Sequence, residues 1–537
     1  MFKNIKTLQK DCICIFLQGF SVKACSIILS AEQGQFAENN AKQHAILPLH
    51  REKGAKDGTL LHEKHRNVPR RAAGHFAGNG GADMSVNKFF IEKLLYPAME
   101  HGKGNRIRTY LREMKQTQYA DSEALHTLRE TRLKQLLRAC ATGVPAYQRL
   151  GITDEDIEKD PWAVFRAIPI LKKSAFQNEP QRFLNTQYDR ARLIPNVTGG
   201  STGEPVKFFM DRYTVEHYEA ARWRGLSWWG ITPGSRSVMI WGNPIELSQE
   251  QQRSARWKDR LLKNRTVISA YDLTEEEVTQ YVRFLNHYQP EYLYGYASAL
   301  ETFAHLLRPI REKLHLKHLK VVVSTSETLD DSRRQSICDT FGCPVLNEYG
   351  ARDAGILGYE CRCGHLHIMA ENCILEVVDP VTLEPVAPGE SGLVVTTDLN
   401  NLAMPRLRYL LGDTATLSPA AGCPCGVTLP TIQSLDGRED AIFELPDGKL
   451  VHGNFVNQLS RKYQTIRQFQ LIQTSVAHAE LRVVMSEQGL LEEVETFRRD
   501  VAGFMPGVEV QAIVVPHIEP SKSGKFRYSI RQFDRSI

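Results

Sequence analysis

Apolar positions fall into distinct rhythms along this chain. Between residues 121 and 142, "DSEALHTLRETRLKQLLRACAT" repeats leucine at helical spacing, at Leu125, Leu128, Leu133, Leu136 and Leu137, behind Asp121 or Ser122 as N-cap. That spacing predicts a packing helix. Downstream the pattern shifts to short apolar runs separated by amphipathic stretches. "SVMIWG" (237–242) predicts a buried strand, and "EYLYGYASALETFAHLLRP" a short strand entering a helix. "LKVVVSTSETLDDSRRQSICDTFGCPVLNEYG" predicts a strand, a helix starting near Asp330, and a second short strand. Apolar strands joined by helices imply a parallel sheet covered on both faces, with ligands at the carboxyl ends of its strands. "STSET" and "NEYGARD" stand at such ends.

A third rhythm follows. "NCILEVVD" and "GLVVTTD" alternate and flank the turn-rich "PVTLEPVAPGESG", which predicts a β-hairpin in a separate antiparallel layer. The final stretch reads strand, strand, helix, strand, from "QFQLIQT" and "AELRVVMS" through "GLLEEVETFRRDVAGF" to "VEVQAIVVP". The expected fold is α/β: a large domain over 84–436 with mostly parallel sheets flanked by helices plus an antiparallel β layer, then a small α+β domain over 437–537.

Composition narrows the class. The 537 residues are 42% hydrophobic and 24% charged, ordinary for a chain with a real core. A net charge of +5, without a Lys/Arg stripe interleaved with aromatics, does not point to nucleic acid. Residues 1–83 stand apart. Asp11 and Lys23 interrupt an apolar start too short for a membrane span, so no transmembrane anchor is expected. From residue 31 the composition is polar and rich in Gly, His and Arg, which fits disorder or an extension upstream of a start at Met84. The 11 cysteines are odd in number, and Cys140, Cys338, Cys343 and Cys373 read as small core residues of a reduced, cytoplasmic protein.

Four loops carry candidate chemistry. "NVTGGSTGEPVKFFMD" (196–211) is either a surface turn or a phosphate cradle, in which glycines bring amides close and hydroxyls add donors. It is not a Walker loop, since Glu204-Pro205 replaces the required Gly-Lys-[Ser/Thr]. "PRLRYLLGD" (405–413) ends on Gly412-Asp413, where an aspartate can accept from both hydroxyls of a ribose or serve only as a turn residue. "DGRED" (436–440) falls at the expected domain junction. "PSKSGKFR" (520–527) sets Lys525 among small residues, where a lysine is otherwise only a solvated charge.

In this order the loops resemble those of the adenylate-forming (acyl-activating) enzymes. In detail "TGGSTGEP", "NEYGARD" and "SGKFR" resemble the phenylacetate–CoA ligase family, nearest its CapK-like capsular-polysaccharide branch, from Met84 to the end. The resemblance implies that Thr198, Gly199, Gly200, Ser201, Thr202 and Gly203 wrap the β- and γ-phosphates of ATP. Ser326 and Glu327 would lie beside the adenine, with Tyr349 packed on the nucleotide. Asp353, one methylene shorter than the family's usual Glu, would help hold Mg²⁺. Asp413 would accept from the ribose, with Arg438 as a second contact. Asp440 would be the hinge of a mobile small domain, whose Lys525 would bridge the attacking carboxylate and the α-phosphate.

The implied reaction is ATP-dependent activation of a small carboxylic acid, then transfer to CoA. Transfer to a carrier or sugar in surface-polysaccharide assembly, and a nucleotide-binding scaffold without activity, stay open, as does a homo-oligomer. Tyr294, Gly295, Tyr296 and Trp241, with Trp228 and Trp229 nearby, suit a flat or aromatic acid, or are simply core.

"CRCGHLH" (361–367) and "CPCG" (423–426) repeat Cys-x-Cys-Gly. Cys361, Cys363, Cys423 and Cys425 predict a tetrahedral structural zinc site, with His365 or His367 able to replace one sulfur; reduced surface thiols are the alternative.

Overall fold

The computed structural model describes residues 88–198, 206–241, 259–260, 263–270, 273, 276–419, 422–438, 441–460, 462–463, 465–486, 488–519 and 526–533. The chain divides into two units, and the architecture below belongs to the one that holds Ala82–Pro97 and Asn105–Ile537.

The leucine-spaced segment is a helix, Ser122–Gly143. The Asp121 carboxylate caps it by accepting from the Ala124 amide at 2.8 Å. Leu125, Leu133, Leu136 and Leu137 are buried, and Leu128 on the flank is half-buried.

Strands β1 (Ile194–Val197) and β2 (Lys207–Met210) form an antiparallel hairpin. The principal sheet then starts with β3 (Ser237–Trp241), β4 (Arg265–Ser269), β5 (Tyr292–Tyr296), β6 (Val321–Thr325) and β7 (Val345–Ala351), all paired in parallel. Every residue of β5 and β6 is buried, as apolar strands covered on both faces require. The helices Val278–Tyr288, Ala297–Leu307 and Asp331–Phe341 share one apolar cluster with these strands, and residues of Arg212–Trp228 join another.

Six more strands follow: β8 (Gly355–Glu360), β9 (Leu366–Ile368), β10 (Cys373–Val378), β11 (Ser391–Asp398), β12 (Tyr409–Leu417) and β13 (Thr431–Arg438). Here two expectations are corrected. The hairpin of β10 and β11 forms, but not in a separate layer. The strands make one eleven-stranded sheet in the order β10-β11-β12-β13-β9-β8-β7-β6-β5-β3-β4. Nor is that sheet mostly parallel, because its direction reverses at β7–β8, where a tight turn replaces a helical crossover. The continuity rests on a narrow joint: β13 meets β9 only through Thr431↔His367 and Ile432↔Leu366.

β14 (Ile442–Glu444) and β15 (Leu450–His452) pair next. A four-stranded sheet ends the chain, β16 (Ile466–Ser475), β17 (His478–Met485), β18 (Glu509–Val514) and β19 (Ser529–Arg531), in the order β18-β17-β16-β19. The helix Leu491–Gly503 packs through Val494, Phe497 and Val501 into its core.

One buried carboxyl makes stability pH-dependent. Asp398, at the end of β11, accepts from the Tyr218 hydroxyl and from the Asn400 amide at 2.9 Å. Burial pushes its pKa up from 3.8 to about 6, against the pull of those hydrogen bonds. Because the folded value is raised, its contribution is fully present below the unfolded value and is lost as pH rises through about 6. Asp398→Asn is expected to flatten the stability profile between about pH 4 and 6. Urea unfolding across that range tests this, and an unchanged slope would remove Asp398 as the cause.

Candidate functional site

The expected phosphate loop is the connection of the β1–β2 hairpin. Its neck is pinched twice at Thr198, whose amide donates to the Val206 carbonyl at 3.0 Å and whose hydroxyl accepts from the Val206 amide at 2.9 Å. Gly199, Gly200, Ser201, Thr202 and Gly203 lie outside the described residues. The Arg352 guanidinium donates to the Val197 carbonyl at 3.0 Å, which ties the neck to the β7–β8 turn. That turn also carries Asp353.

Asp353 is buried. One of its carboxylate oxygens accepts from the Tyr409 hydroxyl at 3.0 Å. Arg406, itself buried, donates from Nε and Nη2 to the Asp353 carbonyl at 3.1 and 2.7 Å. Its guanidinium also lies 4.8 Å from the centroid of the Phe208 ring. A rigid turn is the result.

Three expected ligand residues converge on one carboxylate. Asp413 and Arg438 face each other across β12 and β13, and Arg438 Nη1 donates to Asp413 Oδ1 at 2.6 Å. The Tyr349 hydroxyl, from β7, donates to Asp413 Oδ2 at 3.1 Å. Burial first, then the Asp413 charge, pushes the Tyr349 phenol well above its ordinary range, so it stays a neutral donor. Two acceptor sites remain on the carboxylate.

At the carboxyl end of β6, Ser326 adopts φ +67°, uncommon for a residue with a side chain. Its neighbour Glu327 caps the Ala297–Leu307 helix, accepting from the Ser298 amide at 2.7 Å and its hydroxyl at 3.0 Å. The N-cap residue Tyr296 makes no side-chain capping bond itself. Glu327 also accepts from the Phe526 amide at 3.3 Å. Nearby, the Arg333 guanidinium donates to the Tyr528 hydroxyl and sits 4.6 Å from that ring's centroid. Lys525 and Asp440 lie outside the described residues, but the segment directly after Lys525 is docked at the end of β6.

Comparison with known proteins follows this geometry. No family model matches the chain. It is 27% identical over 251 residues to Protein CapK of Staphylococcus aureus, across 47% of this chain and 53% of CapK. The match thus spans about half of CapK's length. The phenylacetate-coenzyme A ligase of Thermus thermophilus is 26% identical over 385 residues, across 70% of this chain and 81% of that one. The fold matches a 2-hydroxyisobutyryl-CoA ligase in its postadenylation state, with TM-score 0.59 and 20% identity over 76% of this chain and 89% of that one. The chain has the fold of an adenylate-forming ligase and distant sequence similarity to two proteins of that kind. Its relation to phenylacetate–CoA ligase and CapK is distant.

Elsewhere in the chain the expected acyl-pocket aromatics cluster. The Trp241 ring lies 5.9 Å from Tyr294 and 4.1 Å from Tyr296, and a Cβ on Gly295 would come within 2.6 Å of the Ile240 carbonyl oxygen. The Tyr294 hydroxyl donates to Glu348 at 2.6 Å, and Thr325 adds a bond at 3.3 Å. Burial, then Glu348, holds the Tyr294 phenol neutral. Trp228 and Trp229 point to other partners: Trp228 donates to Gln118 at 2.8 Å and Trp229 to the Glu360 carbonyl at 2.8 Å.

The cysteine pairs meet with one substitution. Cys361, His367, Cys423 and Cys425 place their ligand atoms within 4.8 Å of one another. Cys363 does not take part, which corrects the four-cysteine set. It sits at the tip of the turn closed by the Gly364 amide on the Cys361 carbonyl, and it is exposed. His367, in β9, is fully buried and turned toward Cys425.

Arg352, Arg406, Tyr409, Arg333 and Tyr528 are the supporting residues that motif reading missed. Three of them stand within named motifs: Arg352 precedes Asp353 in "NEYGARD", and Arg406 and Tyr409 stand in "PRLRYLLGD". Among the described residues, no helix is long and apolar enough to cross a membrane.

Proposed function

We propose that this chain uses ATP to activate a carboxylic acid as an acyl-adenylate and passes the acyl group to CoA. The convergence of Tyr349 and Arg438 on Asp413 carries this reading. A carboxylate whose two oxygens are each held by one donor keeps its remaining lone pairs in fixed directions, which suits the paired hydroxyls of a ribose. The relatives support it: phenylacetate-coenzyme A ligase in sequence, and 2-hydroxyisobutyryl-CoA ligase in fold.

The residues then divide the work. Asp413 orients the ribose, with Arg438 beside it. The 198–206 loop surrounds the phosphates from a neck held by Val206 and Arg352. Ser326 and Glu327 border the adenine. Asp353 offers a hard oxygen ligand already oriented by Tyr409, which fits Mg²⁺; when bound, that ion neutralises phosphate charge. Lys525 meets the acid and the α-phosphate, delivered by a tail anchored on Glu327 and Arg333. Two anions must approach each other, so catalysis is mostly positioning and charge neutralisation. The small domain, 437–537, rotates about Asp440 to let the thiol enter after adenylation; the proposed boundary at 436/437 falls within β13. The 2-hydroxyisobutyryl-CoA ligase is known in a postadenylation and a thioesterification state, which supports two poses here.

Carboxylate-dependent ATP/pyrophosphate exchange over a panel of acids, followed by CoA addition, tests the proposal. Exchange with thioester formation is expected; exchange without thioester would redirect the acyl group to a carrier or sugar. Tyr349→Phe removes one orienting bond, worth about 1 kcal/mol. Its KM for ATP is expected to rise about fivefold with little change in kcat. An unaltered KM in steady-state exchange would detach Tyr349 from nucleotide binding.

A further inference from the structure

The Cys361, His367, Cys423 and Cys425 cluster sits where the two halves of the large sheet join. Cys361 directly follows β8. His367 lies in β9, and its ladder partner Thr431 opens β13 just after the turn that holds Cys423 and Cys425. β9 and β13 share only two residue pairs. Within the sheet, β10–β13, which carry Asp413 and Arg438, are continuous with β8 and β7 through that ladder.

We propose that these four groups bind one zinc ion, and that the ion rivets the β9–β13 joint. The donor set is three thiols and one imidazole, a soft combination that suits tetrahedral zinc. Tetrahedral zinc places its ligand atoms about 3.4–3.8 Å apart. Cys361 Sγ and Cys423 Sγ already lie 3.6 Å apart, and Cys425 Sγ and His367 Nε2 lie 3.4 Å apart. The sulfur separation is far beyond a disulfide bond of about 2 Å.

The histidine is set for its task. His367 Nδ1 lies 3.1 Å from the Leu429 carbonyl, which can only accept, so Nδ1 carries the proton and Nε2 turns its lone pair toward Cys425. Both thiol turns are tight. Gly364 donates to the Cys361 carbonyl and Gly426 to the Cys423 carbonyl, each at 3.0 Å. Gly364 and Gly426 have φ of +80° and +82°, which a side chain would strain. Each turn thus presents its thiols on a closed loop. His365 Nδ1, at 2.9 Å from Cys423 Sγ, is placed to donate to that sulfur as a second-sphere partner.

The test uses the full chain purified without chelator. Elemental analysis is expected to find one zinc per chain, and cobalt(II) in its place to give the intense visible absorption of a tetrahedral thiolate site. Cys361→Ser and Cys425→Ser are expected to lose the metal, whereas Cys363→Ser keeps it. His367→Cys, which preserves a four-ligand set, guards against a variant that merely fails to fold and is expected to retain zinc. Absence of zinc, no tetrahedral cobalt spectrum, and free reactivity of all four thiols in the folded chain would overturn the site. Amide exchange reads the rivet separately. On zinc removal, Leu366–Ile368 and the start of β13 are expected to exchange at least about tenfold faster while β16–β18 are unchanged. Equal exchange at the joint with and without zinc would overturn the rivet.

Discussion

Replacing Arg224 by leucine is expected to lower the unfolding free energy by about 3–5 kcal/mol. Arg224 and Glu371 are both fully buried; Nη1 meets Oε1 at 2.5 Å and Nη2 meets Oε2 at 3.2 Å. The Thr117 hydroxyl adds a bond to Oε1 at 2.8 Å, and Arg132 holds the Glu371 backbone carbonyl at 2.7 Å. Burial alone would raise the Glu371 pKa, but the Arg224 charge and the hydrogen bonds from Arg224 and Thr117 to the carboxylate outweigh it and bring the pKa below its ordinary value. A depressed carboxyl stabilises the fold above its unfolded pKa, and that contribution is lost as pH falls through the folded value. Arg224→Leu leaves the carboxylate buried without its cation, so its cost is largest at neutral pH and shrinks in acid. The double variant Arg224→Leu/Glu371→Leu removes both charges and is expected to recover most of the loss. Urea unfolding measures each variant. A loss under about 1 kcal/mol for the single change, the size of an exposed pair, would refute the buried-pair account.

Lys525→Ala is expected to reduce carboxylate-dependent ATP/pyrophosphate exchange by at least about 10²–10³-fold, the scale seen when one charge-stabilising donor is removed. ATP affinity should stay within a few-fold, because the proposed ribose and adenine contacts come from other residues. The expectation follows from charge: a carboxylate approaching a phosphate needs a cation between them, and the proposed phosphate loop has Glu204 where a lysine would help. Phe526 and Tyr528, which follow Lys525 in the chain, are anchored at Glu327 and Arg333 near the end of β6. Exchange at the unmodified rate in Lys525→Ala, with ATP binding retained, would reject the assignment.

Much of this arrangement was legible before any tertiary contact. The leucine spacing from Leu125 to Leu137 marks a helix because only a period of 3.6 puts those residues on one face. β5 and β6 were readable because short, largely apolar runs fit a strand covered on both sides. The order of the glycine, acid and lysine loops resembles that of the adenylate-forming enzymes, and such an order is readable from the chain alone. Other features had no local signal. Strand alternation tells which residues face the same way but not which strand lies alongside, so the β9–β13 pairing and the single continuous sheet were invisible. The choice of His367 over Cys363 depended on turn geometry: both are metal-ligand types at plausible spacing, and only the Cys361–Gly364 turn shows that Cys363 faces solvent.

The sequence by itself determined most element types and which loops carry candidate chemistry, because these depend on periodicity and on functional groups close together in the chain. Only the tertiary structure decided how they combine. Tyr349 and Asp413 are separated by 64 positions yet share a hydrogen bond, and Arg224 and Glu371 are separated by 147 yet form a buried ion pair. Such pairings follow from how sheets and helices close over one core, a property of the whole chain that no short segment encodes.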